Sequence, residues 1–138
     1  MKLFLVVAAL LVFTPAFASA RCLQFEPTVV LLKGTFVSKF LPGAPGYVSI
    51  SGGDLPEKVL FLQLDEEICV KGNPNSTANS RTRTGLKEIQ LVVPVGEYLK
   101  LLDKKVRAYG TLFTAGMRSH RTKVVMTVQS ISENNSAD

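Results

Sequence analysis

PVGEYLKLLDKKVRAYGTLFTAGMRSHRTKVVMTV, residues 94–128, decides how the fold is read. In its first part Tyr98, Leu101 and Leu102 stand at i, i+3 and i+4, which lays one apolar side along about two turns of helix. Pro94 suits the opening of that helix, and Lys104 and Lys105 suit its far end, where cations meet the negative pole of the backbone dipole. The period then drops to two. Val106, Ala108, Gly110 and Leu112 alternate with Arg107, Tyr109 and Thr111; past a basic tip, Val124, Met126 and Val128 alternate with Thr127 and Gln129. Alternation of this kind marks strands with one face on a core.

Three more such runs lie upstream. VVLLKGTFVSKF (29–40) sets Val30, Leu32, Gly34 and Phe36 against Lys33, Thr35 and Lys39. KVLFLQLD (58–65) sets Leu60, Leu62 and Leu64 against Phe61, Gln63 and Asp65, and KEIQLVV (87–93) sets Ile89, Leu91 and Val93 against Glu88, Gln90 and Val92. The order is three strands, a helix, then two strands. It predicts a mostly β fold: a small five-stranded OB-like β-barrel with one short helix between strands three and four. Gly34, in the middle of the first run, supplies the bend that a strand serving both halves of a barrel needs. The Pro- and Gly-rich 41–56 segment makes a long excursion between strands one and two, and the polar 72–85 segment reads as a mobile loop. The domain is expected over 21–131, with a disordered tail over 132–138.

The first twenty residues, MKLFLVVAALLVFTPAFASA, have a different character. One Lys, an apolar run from Leu3 to Phe13, Pro15 and the small tripeptide Ala18-Ser19-Ala20 form the pattern of a cleaved secretory leader, with cleavage after Ala20. The apolar run is shorter than the roughly 20 residues of a membrane span, and no later stretch approaches that length. The short leader points to a bacterial protein, periplasmic or secreted, and 118 of the 138 residues would remain. Loss of Lys2 leaves 15 basic residues against 11 acidic ones, a net charge of +4. The excess is local: seven basic residues and one acid, Asp103, lie between Lys100 and Lys123. Such a field favours anionic partners. Outside the cytoplasm those are acidic glycans, lipid head groups or an envelope protein, and not nucleic acid.

Cys22 and Cys69 are the only cysteines, and an oxidising compartment joins such a pair. Cys22 precedes the first strand and Cys69 follows the second, so in an antiparallel pair both overhang one end of the sheet. There is no C-x-x-C, and two cysteines with the single His120 do not complete a four-ligand zinc site. No metal or other cofactor is expected.

Signatures of catalysis are scarce. Nucleophile elbow, phosphate loop and H-E-x-x-H are all missing from the sequence. The run Asp65-Glu66-Glu67 is the one set of carboxylates that could do acid–base work, and a solvated strand end is the better explanation of it. Binding is better supplied. Arg118, His120, Arg121 and Lys123 crowd the hairpin tip, and alternation turns Arg107 and Tyr109 outward on the strand before it. Cationic and aromatic groups on an OB-type face are the means by which such folds hold polymers. Outward Phe61 and Gln63 could extend that face, or the 41–56 excursion could cover them.

Several segments in order, C-x-x-F-E-P from Cys22, PGAPGY (42–47), GDLPE (53–57), ICV (68–70), EYLKLLDKKV (97–106) and YGTLF (109–113), resemble those of a family of small exported bacterial proteins, the domain of unknown function 4431. The resemblance runs from Cys22 to Ile131 and implies that both cysteines belong to a shared framework; it implies no activity. The last hairpin of that family is often rich in histidine, which would imply a metal or anion site. Here TAGMRSHRTKV holds His120 alone among arginines, which argues against a metal. The expectation is a non-enzymatic monomeric binding module that meets an anionic or protein partner through Arg118, His120, Arg121 and Lys123, with Arg107 and Tyr109 beside them. The alternative is an inhibitor or immunity-type partner of an envelope enzyme or toxin, using the 41–56 loop.

Overall fold

The computed structural model describes residues 21–94 and 96–136, so the segment expected to be a leader, residues 1–20, lies outside the described residues. Among the described residues six strands and one 3-10 helix follow in order: β1 (Leu23–Gln24), β2 (Val29–Pro42), β3 (Pro56–Lys71), β4 (Arg83–Val92), the helix (Glu97–Leu101), β5 (Lys105–Thr114) and β6 (Val124–Glu133). The five long strands are those read from the alternation; β1, only two residues, is the sixth. β2 pairs antiparallel with β3 on one side and with β5 on the other. β5 pairs with β6, β6 runs parallel to β4, and β4 returns to β3, so hydrogen bonding passes round five strands in a closed ring.

Inside the ring lie the residues that the alternation placed there. Leu32, Phe36, Leu62, Ile89, Val106, Leu112 and Met126 form the centre of one buried cluster. Two glycines let the backbones come together. A Cβ on Gly34 would stand 2.2 Å from the Gln63 carbonyl oxygen, and one on Gly110 would stand 2.0 Å from that of Thr127. At Gly110 the β5–β6 register also shifts: Tyr109 faces Ser130 while Gly110 faces Val128, which leaves Gln129 over as a bulge. The bulge moves the inward position from an even to an odd residue, so Ile131 re-enters the core after Val128.

The helix closes one end of the ring with Leu101, and Tyr98 and Leu102 pack partly buried beside it. It is shorter and tighter than the two turns expected. Gly96 at its start has φ 101°, and Asp103 just past its end has φ 66°. Asp103 N–H donates to Phe36 O, and Phe36 N–H to Lys104 O. The chain is thus already pairing with β2 where a second helical turn would form.

Cys22 and Cys69 are joined, with Cα atoms 4.6 Å apart and a sequence separation of 47. The route differs from a simple overhang: Leu23–Gln24 runs parallel to Val70–Lys71 and lays Cys22 beside the end of β3. Closing a loop of that length stabilises the fold by about 4 kcal/mol in the chain-entropy account. The polar 72–85 segment is better anchored than its composition suggests. Asn79 is buried, accepts from Thr114 N–H and donates to Glu26. At the tail, β6 continues to Glu133, and Arg107 donates to Asn134 Oδ1 and Ser136 Oγ.

Candidate functional site

The β5–β6 connection carries most of the predicted binding residues, and it is tightly made. Ala115 N–H donates to Lys123 O at its base, and His120 N–H donates to Met117 O at its turn. The His120 ring faces inward. Its Nδ1 accepts from the backbone N–H groups of Gly116 and Met117 at 2.9 and 3.1 Å, and the ring meets Phe113 edge-on. His120 therefore shapes the loop.

Gln90 holds the loop from below. This residue points outward from β4 yet is only 8% exposed. Its Nε2 donates to Ser119 O, its Oε1 accepts from Arg121 N–H, and its own N–H donates to Thr122 Oγ1. A primary amide has one acceptor and two donors at its tip, and here both kinds of group are spent on one turn of the loop. An outward Gln on a strand reads as solvated, so nothing in the sequence singles it out.

Arg121 is a clamp. Its Nη2 donates to Pro42 O at 2.7 Å and to Glu57 Oε2 at 3.0 Å, its Nε donates to Ser119 O, and the guanidinium lies over the Tyr47 ring. With 11% of its side chain exposed, it ties the hairpin loop to the excursion between β2 and β3. That excursion is ordered by another side chain. The Asp54 carboxylate accepts from the N–H groups of Gly46, Val48 and Ser49 at 2.7, 2.8 and 2.9 Å. Those three bonds, Ser49's first, hold its carboxyl below the ordinary value of 3.8.

On the outside of the ring, Val59, Phe61 and Val125 are buried although they are not members of the inner cluster. Phe61 and Val125 both face Gln90 in register, and the Lys39 ammonium, held by Glu88, sits 4.7 Å from the Phe61 ring centre. The outward Phe61 is therefore covered, while Gln63 remains exposed.

Arg118 and Lys123 are left at the surface. No ion pair engages either of them among the described residues. Arg107 and Tyr109 are not gathered to the tip. They sit seven and five residues before Thr114, about 20 Å back along β5 at some 3.3 Å per residue, and Arg107 is engaged by Asn134 and Ser136.

Asp65, Glu66 and Glu67 lie along exposed β3, where β2 and β3 part beyond the Gly34–Leu64 pair. They line a groove of about 810 Å³ together with Leu31, Leu64 and Lys105. Asp65 is paired with Lys105. Among the described residues no group of three or more His, Cys, Asp or Glu could hold a metal ion, and no helix is long and apolar enough to cross a membrane.

These features define a mostly β, disulfide-clamped domain whose strands close into a ring and whose β2–β3 and β5–β6 loops are pinned together by Arg121. Residues 88–132 match the family described as Domain of unknown function (DUF4431). The resemblance carried by EYLKLLDKKV and YGTLF is borne out over that span, which holds the helix, β5, the hairpin loop and nearly all of β6. No curated protein matches the chain.

Proposed function

We propose that the protein is a non-enzymatic binding module of the exported, OB-like kind, acting as a monomer and meeting an anionic partner through the loop between β5 and β6. The OB-like reading is supported by the pairing pattern. Three strands in meander, a helix, and a last strand that runs parallel to the third and antiparallel to the fourth account for all five strands of the ring, with β1 as an addition. Export is supported by the Cys22–Cys69 bond, since disulfides persist in oxidising compartments. Leader cleavage after Ala20 and a periplasmic or secreted destination belong to the same reading.

One observation carries the choice of surface. The 115–123 segment contains no acid, and Arg121 spends its charge on Glu57, so Arg118 and Lys123 stand exposed on a loop fixed in place by Gln90, His120 and Arg121. The role first suggested for all four tip residues thus falls on Arg118 and Lys123, with His120 and Arg121 positioning them. A role in catalysis for Asp65, Glu66 and Glu67 has less behind it: one is neutralised by Lys105 and the other two are solvated on a strand.

The test is binding to a soluble polyanion, dextran sulfate, by the parent chain and by the Arg118→Ser/Lys123→Ser variant. The expected result is salt-sensitive binding that the double variant loses. Binding that the variant retains in full would place the contact elsewhere.

A further inference from the structure

The two pinned loops carry more than charge. Val48 is 80% exposed, Leu55 68%, Met117 65% and Ile50 43%. Large apolar side chains are left in water singly on most proteins, and a group of them on one region marks a contact surface. These four belong to two loops that would otherwise be independent. Tyr47, next to Val48, lies under the Arg121 guanidinium, and Arg121 is four residues from Met117. Neither loop is a floppy tip: Asp54 fixes the backbone N–H of Val48, and His120 fixes that of Met117.

The charges on this end are arranged to one sign. The acids of the first loop are Asp54, turned onto its own backbone, and Glu57, turned onto Arg121. The second loop has none. What remains exposed on the two loops is Arg118 and Lys123, together with the protruding apolar side chains. We infer that the partner of this surface is an anionic lipid bilayer, with Val48, Ile50, Leu55 and Met117 entering the head-group boundary while Arg118 and Lys123 meet lipid phosphates. The inference rests on the binding surface proposed above and names its partner. Side chains that stand out individually from rigid loops suit a fluid surface that closes around each of them. A protein partner would need a recess cut to fit every one. Membrane attachment of this kind takes two signals together, since a few apolar side chains or a few cations alone give only marginal binding.

The test uses the disulfide-bonded chain from Arg21 to Asp138, which holds every described strand, the helix and the whole core. Co-sedimentation is measured with vesicles of phosphatidylglycerol and phosphatidylcholine, with vesicles of phosphatidylcholine alone, and against dextran sulfate. The expected result is binding to the anionic vesicles that falls about tenfold in Val48→Ser/Met117→Ser and about thirtyfold in Arg118→Ser/Lys123→Ser. Dextran sulfate binding should respond to the second variant only. Both pairs of residues are exposed, so each variant should unfold at the parent's temperature.

Dextran sulfate binding through Arg118 and Lys123, with no vesicle binding or with vesicle binding indifferent to Val48 and Met117, would overturn the bilayer and leave the anion-binding surface standing. Binding to neither would remove both. Self-association in light scattering that Val48→Ser/Met117→Ser abolishes would assign the patch to a second copy of the chain and overturn the bilayer as well.

Discussion

Phe36 and Phe61 are neighbours across two strands, and both are buried, yet they belong to different layers. Phe36 points into the ring among side chains from every long strand, and the backbone hydrogen bonds around it close on themselves. Phe61 points out, lies under the Lys39 ammonium and stands beside Gln90, whose side chain holds the hairpin loop that Arg121 ties to the β2–β3 loop. The inner layer is made by strand pairing and is as stable as the fold. The outer layer is made by side chains reaching across loops, so it opens when a handful of polar contacts fail. Local opening below the global free energy is expected of such loop-covered regions.

The largest difference should appear on truncation. Phe36→Ala leaves a cavity that a closed ring cannot collapse into, and should cost about 4 kcal/mol in urea unfolding. Phe61→Ala should cost about 3 kcal/mol, because the Lys39 side chain over it can settle into part of the space. Equal losses, with the same change in loop amide exchange, would merge the two layers into one core.

Next comes the closure of the ring itself. Gly34→Ala would drive a Cβ to within 2.2 Å of a backbone oxygen on β3. Neither strand can give way without losing pairing on its other edge, so about 3 kcal/mol should be lost. A thermal midpoint equal to the parent's would mean that β2 and β3 are not held at that distance. The same substitution at Gly116, which has nothing near its missing Cβ, is the control.

The two layers were not equally legible in the sequence. Inner faces are written in period two, and a residue such as Leu32 or Met126 needs no knowledge of distant chain to be placed. The disulfide was legible because only two cysteines exist. Val59, Phe61 and Val125 could not be assigned, because alternation puts them on the outward face and says nothing about what lies over it. Arg121 and Arg118 are the same residue type three positions apart. Their roles diverge because Arg121 meets Pro42 and Glu57, 79 and 64 residues away, and no local pattern encodes that. The helix was placed correctly between the third and fourth long strands, but its length depended on Asp103 and Lys104 pairing with Phe36, again a distant contact.

Arg121→Ala separates the layers more gently. It strips Pro42 O and Glu57 of their donor and should cost about 2 kcal/mol. The loss should appear as faster amide exchange in residues 43–55 and 115–123, while amides of β2 and β5 keep their protection. Arg121→Lys should recover only part of the loss, since an ammonium that reaches Pro42 O and Glu57 has neither the Nε–H that meets Ser119 O nor the planar face that lies on Tyr47. Full recovery would reduce the clamp to its charge alone.

The smallest effect isolates one end of the outer layer by pH. The Asp54 carboxyl is held below 3.8 because the ionised form accepts three backbone N–H groups. A depressed folded value means that this contribution is complete above the ordinary carboxylate range. It is lost only as pH falls through the lowered value, so the window lies below 3.8. Amide shifts of Gly46, Val48 and Ser49 should therefore move together with a single midpoint in that window, and Asp54→Asn should abolish the shared titration. Amides around Phe36 should stay still over the same interval. If they moved with the same midpoint, protonating one exposed loop would be opening the ring, and the distinction between a layer closed by strands and a layer closed by loops would fail at its most sensitive point.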